Sequence, residues 1–300
     1  MHIGIFGGDT GGRTIDDIVA DARQAEADGF SSFALPQIFG LDAMAVLTII
    51  GREVPRIELA TGVVPTYSRH PLTMAQQALS AAAASEGRFV LGIGLSHQFV
   101  IEHMFGLSFE KPVRHMREYL SVLVPLLEQG AVSFTGETIR TEAALGVDPR
   151  PACPVLVAAL GTQMLNLAGS LTQGTVTWMT GPRTLAEHTA PTINAAAERA
   201  GRPAPRVVAA LPVCVTADVE AARTKAGEEF QVYGMLPSYR AMLDREGAEG
   251  PADVALVGDE DAVATQVRAL ADAGVTEFVA SCFGSREERD RTRAVLRSLL

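Results

Sequence analysis

The chain has 300 residues, 47% of them apolar, and carries a formal charge of −10. That apolar share supports a large core and excludes a disordered chain, and the length suits one α/β barrel domain over residues 1–300 with insertions. The negative balance excludes nucleic acid and anionic membrane surfaces as the natural partners, and no uncharged apolar stretch is long enough to span a bilayer.

Cys153, Cys214 and Cys282 are odd in number and far apart, with no Cys-x-x-Cys pair, so neither a disulfide framework nor a cysteine zinc site is expected. The chain opens directly on the strand-like His2-Ile3-Gly4-Ile5-Phe6 with no basic leader, which predicts a cytoplasmic protein.

Short β-like runs alternate with amphipathic helices. Ile3–Phe6 precedes a helix in which Ile15, Ile18, Val19, Ala22 and Ala25 share a face, with Thr14 as N-cap and Gly29 as terminator. Ser32–Leu35 precedes the helix Asp42–Arg52. Ile57–Val64 precedes a helix opened by Pro71, and Phe89–Ile93 precedes Val113–Leu127. The rhythm resumes with Pro154–Ala159 and Thr162–Ala168, Thr175–Met179 and Leu185–Ala200, and Arg206–Val215 and a helix from Val219. It closes with Val275–Ser281 and Arg286–Leu299. Strands that alternate with helices pair in parallel, and eight such units predict a closed (β/α)₈ (TIM) barrel.

Leu95–Pro112, Glu128–Ala152 and Tyr233–Asp261 interrupt the pattern. The first is an insertion after strand four. The last, between helix seven and strand eight, is expected to pass over the barrel mouth, where barrel enzymes place substrate-specific elements.

Active sites of such barrels sit at the C-terminal ends of the strands. Here those ends offer no lysine for a Schiff base, no His-x-His or His-Glu-x-x-His ligand set, and Asp9 as their only acid. A cofactor that carries the chemistry itself is the economical expectation. Gly161-Thr162 turns a strand into a helix and offers free N–H groups to a phosphate, although a glycine there ordinarily serves only the turn. Gly92-Ile93-Gly94 lacks the third glycine of a dinucleotide fingerprint. His97 follows a strand directly, and is either a proton-handling group or a loop histidine bonded to backbone. His70 suits a structural role at its helix entry, and His115 a loop or helix face. Trp178 ends a strand, facing either a planar ring or the core.

The blocks Leu59-Ala60-Thr61-Gly62-Val63-Val64-Pro65-Thr66-Tyr67-Ser68-Arg69-His70-Pro71 and Glu86 through Gly94 resemble the luciferase-like monooxygenase superfamily. So do Arg117-Glu118-Tyr119, Ala158-Ala159-Leu160-Gly161 and Gly174 through Trp178. The resemblance spans the chain and is nearest to the branch that uses the deazaflavin coenzyme F420. It implies a non-proline cis peptide at Gly62–Val63 beneath the cofactor ring, Thr66 near the ring's polar edge, and Gly161 and Thr162 at the phosphate. Ser96 and Trp178 complete the implied cofactor set, and a homodimer is implied as well. Relatives often carry an acid and a histidine after strand two; here Pro36-Gln37-Ile38-Phe39 stands instead. Gln37 can bond the cofactor but cannot titrate, which leaves His97 as the catalytic candidate.

The resemblance thus implies an F420-dependent oxidoreductase that moves a hydride between deazaflavin C5 and a small organic substrate. The alternatives are an FMN-dependent monooxygenase on the same barrel and a cofactor-binding protein without turnover. The acidic oligoglutamate tail of the deazaflavin would suit arginines near the mouth, such as Arg69 or Arg183.

Overall fold

The computed structural model describes residues 1–300. Eight parallel strands close on themselves: β1 (His2–Phe6), β2 (Ser32–Leu35), β3 (Glu58–Thr61), β4 (Phe89–Gly94), β5 (Val155–Ala158), β6 (Gly174–Trp178), β7 (Arg206–Val215) and β8 (Glu277–Cys282). Each pairs with the next, and β8 returns to β1 through the register His2–Glu277 to Ile5–Ala280. This is the expected (β/α)₈ barrel, and the insertions after strand four and before strand eight are present.

Local sequence accounts for the helix boundaries. Thr14 accepts from the Asp17 N–H while the Asp17 carboxylate returns to the Thr14 N–H, a reciprocal cap at the start of Ile15–Ala27. His70 Nδ1 accepts from the Leu72 N–H at the head of Pro71–Ala84, the structural part expected of it. The helix Pro112–Gln129 stops at Gly130 in the left-handed conformation.

Most of the core lies between the sheet and its helices. A smaller inner cluster of Ala34, Val90, Leu156, Val208, Ala210 and Val279 fills the barrel, with Phe6 and Trp178 packed against it. At the N-terminal end Arg206 pairs with Glu58 Oε1 at 2.6 Å and with Glu277, which also accepts from Ser32. Four strands are tied together at the end opposite the mouth.

Two segments are more ordered than their interruption of the pattern suggested. Residues 128–152 contain an antiparallel hairpin, Ala131–Thr135 against Arg140–Ala144. It is anchored by the buried Glu118, whose carboxylate accepts from the N–H groups of Glu137, Thr138 and Ile139 and from the Thr138 hydroxyl, at 2.7–2.9 Å. Residues 233–261 fold as short helices and a strand, Leu256–Gly258, paired to β7, and lead into the helix Glu260–Asp272.

Candidate active site

The mouth takes its shape from an irregularity between β3 and β4. Regular pairing covers Leu59–Phe89 and Ala60–Val90, stops, and resumes with Val64–Ile93 and Pro65–Gly94. In the gap the buried Thr61 hydroxyl donates to the Gly92 carbonyl (2.7 Å) and accepts from the Gly92 N–H (2.8 Å). The chain bulges there, and the Gly62–Val63 peptide is cis, at the position the resemblance implied. The two glycines of Gly92-Ile93-Gly94 make room for this bulge. A Cβ on Gly92 would collide with the Thr61 carbonyl, and one on Gly94 would stand 2.8 Å from Val63 Cγ2. A Cβ on Gly62 would lie 3.0 Å from the Phe6 ring, which places Gly62 against the aromatic floor of the mouth.

That floor is continuous. Phe6 and Trp178 stack with centroids 5.6 Å apart, and Trp178 meets Phe230 and Tyr233 edge-on. Tyr233 packs on Tyr239, which tilts against His97 at 5.7 Å. The insertion before strand eight therefore does lie over the mouth, and it joins His97 to Trp178 through two tyrosines. Trp178 Nε1 is buried with no hydrogen-bond partner. Such an orphan donor is uncommon in a protein interior and points to a missing acceptor.

His97 is half-buried, and loss of hydration holds its imidazole below the ordinary value, so the ring is neutral at pH 7. The residue before it, Ser96, has φ of 60°, and Met179, directly after Trp178, has φ of 53°. Left-handed backbone is uncommon for non-glycine residues. Both side chains at the mouth thus sit beside turns of this kind.

The other residues singled out from sequence fall in different surroundings. Gly161 and Thr162 are exposed at the head of the helix Thr162–Leu171, which has no side-chain cap, and a Cβ on Gly161 would meet nothing within 4 Å. Thr66 is 1% exposed, and its hydroxyl lies 3.0 Å from His115 Nε2. Gln37 Oε1 accepts from the Ala43 N–H at 2.9 Å and so serves the head of the helix Ala43–Glu53. Neither arginine suggested for an acidic tail is free. Arg69 is paired with Asp42, and Arg183 with Glu187 at 3.3 Å.

Two histidines gain roles that their sequence context did not reveal. His188 Nε2 lies 2.8 Å from the Leu160 carbonyl and holds the end of β5 just before Gly161. His115 braces Thr66 and stacks on Tyr67 with centroids 3.9 Å apart. Each follows its partner by many residues, so no local motif marks it.

The model of the luciferase-like monooxygenase family matches residues 2–277. The chain belongs to that family. It is 28% identical over 281 residues to a 5,10-methylenetetrahydromethanopterin reductase of Methanolobus tindarius, across 93% of this chain and 85% of the relative. Among solved structures, the coenzyme F420 dependent tetrahydromethanopterin reductase of Methanopyrus kandleri superposes with a TM-score of 0.82 at 23% identity, covering 99% of this chain and 97% of that one. The oxygenating constituent of 3,6-diketocamphane monooxygenase of Pseudomonas putida, in complex with FMN, superposes with a TM-score of 0.77 at 17% identity, over 99% and 96% of the two chains. These likenesses confirm the barrel, and the family match makes the chain an oxidoreductase.

Proposed function

We propose that this barrel is a coenzyme F420-dependent oxidoreductase acting on a small, uncharged organic substrate. The observation that carries the reading is a neutral, half-buried His97 facing, through Tyr239 and Tyr233, an aromatic floor whose Trp178 Nε1 has no partner. Similarity to a reductase over 93% of the chain supports it.

The residues present fit such a cofactor. The open turn at Gly161 and Thr162 offers uncapped N–H groups to a phosphate. The Gly62–Val63 bulge and Trp178 would stand at the ring, with Ser96 fixing the approach of His97. The reading gives Gln37 its Nε2, whose one contact, with the Ile38 carbonyl, is long at 3.5 Å, and makes Thr66 a support of the site, because its hydroxyl, N–H and carbonyl are all engaged. When bound, coenzyme F420 supplies hydride chemistry at C5.

His97 handles the proton. In the oxidative direction the neutral imidazole takes the hydroxyl proton of an alcohol as hydride leaves the carbinol carbon. In the reductive direction the same nitrogen returns it. Phe39 in the loop after β2, Phe99 and Met104 in the helical turn after β4 and Met235 at the end of the short helix Gln231–Met235 stand exposed and suit an uncharged substrate.

Equilibrium titration of the purified chain with coenzyme F420 and with FMN tests the reading. Binding of the deazaflavin in preference to FMN is expected; tight FMN binding with no affinity for the deazaflavin overturns it. The second reading, a flavin monooxygenase, draws on the likeness to the FMN-bound oxygenase, and oxygen uptake coupled to substrate hydroxylation would favour it.

A further inference from the structure

We infer that Tyr239 is a positioning residue for His97, held in place from two helical turns away by Glu246. The inference rests on the reading of His97 as the proton-handling group. Tyr239 belongs to the helix Pro237–Glu246 of the insertion before strand eight, and its ring lies 5.7 Å from that of His97. Tyr239, Met242, Leu243 and Glu246 recur at the spacing of one helix face. Met242 and Leu243 are buried, so that face is turned toward the barrel.

Glu246 fixes the far end of the face. Its carboxylate accepts from the Arg183 N–H at 3.1 Å and from the Thr184 N–H at 2.7 Å. The Met242 carbonyl accepts from the Thr184 hydroxyl at 3.4 Å. A Cβ on Gly181 would stand 2.3 Å from Glu246 Cδ, so the glycine lets the carboxylate come in. The turn that receives it directly follows the end of β6, which carries Trp178. Seven residues of helix, about 10 Å, then set where Tyr239 meets His97.

Little else governs His97. No charge and no hydrogen bond acts on its titration, and loss of hydration alone lowers its value. Burial raises the phenols of Tyr239 and of Tyr233 behind it, so both stay uncharged through the neutral range. Asp9 bears on Tyr233, Glu102 is engaged by Gln98 on the turn after His97, and Arg240 beside Tyr239 is paired with Asp244. The Tyr239 ring is what keeps water from the imidazole and limits its orientations. The pair escapes a sequence reading because its rings come from separate loops, and Glu246 resembles any glutamate at the end of a helix.

The test follows the His97 ring by NMR titration of histidine-labelled protein without cofactor, and kcat/KM against pH with it. The wild type should titrate below 6.5. Tyr239→Phe keeps the ring and should match it. Tyr239→Ala should move the titration midpoint and the break in kcat/KM upward together, toward 6.5. Its kcat should fall on the order of tenfold as the imidazole loses its fixed orientation, with cofactor affinity unchanged. Glu246→Ala does not touch His97 and should still move the midpoint upward, whereas Glu246→Gln, which keeps one acceptor oxygen, should move it less. A merely structural role would lower the melting temperature and leave the midpoint in place. Midpoints unchanged in folded Tyr239→Ala and Glu246→Ala overturn this inference alone, and so does a wild-type midpoint at or above 6.5, which needs no variant. Failure of every deazaflavin to bind the wild type overturns the cofactor reading and this inference with it.

Discussion

His115 Nε2 stands 3.0 Å from Thr66 Oγ1, while the Thr66 N–H donates to the Gly94 carbonyl at 2.9 Å. The helix Pro112–Gln129 is thereby fastened to the segment that follows the β3 bulge. Thr66 follows the bulge by three residues, so His115 braces the strand that carries the bulge.

That half-buried imidazole predicts acid sensitivity. Burial pushes the His115 ring down to about 4, outweighing the attraction of Glu118. Below pH 6.5 the unfolded chain takes up this proton first, so stability falls as pH drops toward 4. The slope is about 1.4 kcal/mol per pH unit, roughly 3 kcal/mol in all. His115→Phe should lose stability at neutral pH and lack that component of the slope. Urea unfolding at several pH values measures it; equal slopes in both proteins would rule out His115 as the source.

His97 predicts the activity profile. Its folded value is lowered by desolvation, so the neutral ring persists to more acid pH than a free histidine allows. For oxidation of an alcohol, kcat/KM should stay level from pH 8 down past 6.5 and fall only below that. His97→Ala should lower kcat by about 10²–10⁴-fold while leaving cofactor affinity intact. A profile that breaks above pH 6.5, or a variant of undiminished kcat, would remove His97 from proton transfer.

The parts legible in the sequence are those set by local periodicity. The alternation of strands and helices fixed the barrel because each helix buries one face against the sheet, and the strand ends then located the mouth. The pairing of Thr66 with His115 was not legible because the two lie 49 positions apart and no local pattern marks the pair. The bond from the Ala43 N–H to Gln37 was not legible because it depends on a loop path that sequence does not specify. The hairpin was missed because Ala131–Thr135 is weakly patterned and is held by Glu118, a carboxylate on the preceding helix.

Glu118 should therefore matter to the hairpin more than to the site. Burial alone would raise its value, but hydrogen bonds from Thr138, Glu137 and Ile139 outweigh that and hold it at about 2. Its contribution is present above about pH 4.5, where an unfolded glutamate is ionised, and is lost as pH falls toward 2. Glu118→Ala should cost about 2–4 kcal/mol by removing the buried acceptor of four hydrogen bonds. Hydrogen exchange should accelerate at the amides of Glu137, Thr138 and Ile139 first; protection unchanged at those three would refute the anchor.

Trp178 is the only tryptophan in the chain, so its emission reports on the mouth alone. Ring binding beside it should quench that emission with saturation. Trp178→Phe costs little in hydrogen bonding, because Nε1 is buried without a partner of ordinary geometry and its one approach is to the Tyr233 hydroxyl. The variant should stay folded within about 1–3 kcal/mol and bind cofactor more weakly. Quenching absent at saturating cofactor would place the ring elsewhere.

Gly161 separates ligand binding from folding more cleanly than any other position. Its φ of −80° and ψ of 153° are open to any residue, and an added Cβ would meet nothing within 4 Å. Gly161→Val should thus leave the melting temperature nearly unchanged, since replacing a glycine at a helix N-cap costs about 1 kcal/mol or less. A bound phosphate would approach the space the valine fills. The expected outcome is a loss on the order of tenfold or more for a phosphate-bearing deazaflavin, from displaced charge-assisted hydrogen bonds, with the phosphate-free nucleoside unaffected. Equal losses for both forms would mean that the valine disturbs the ring, and no loss for either would show that the phosphate binds away from this turn.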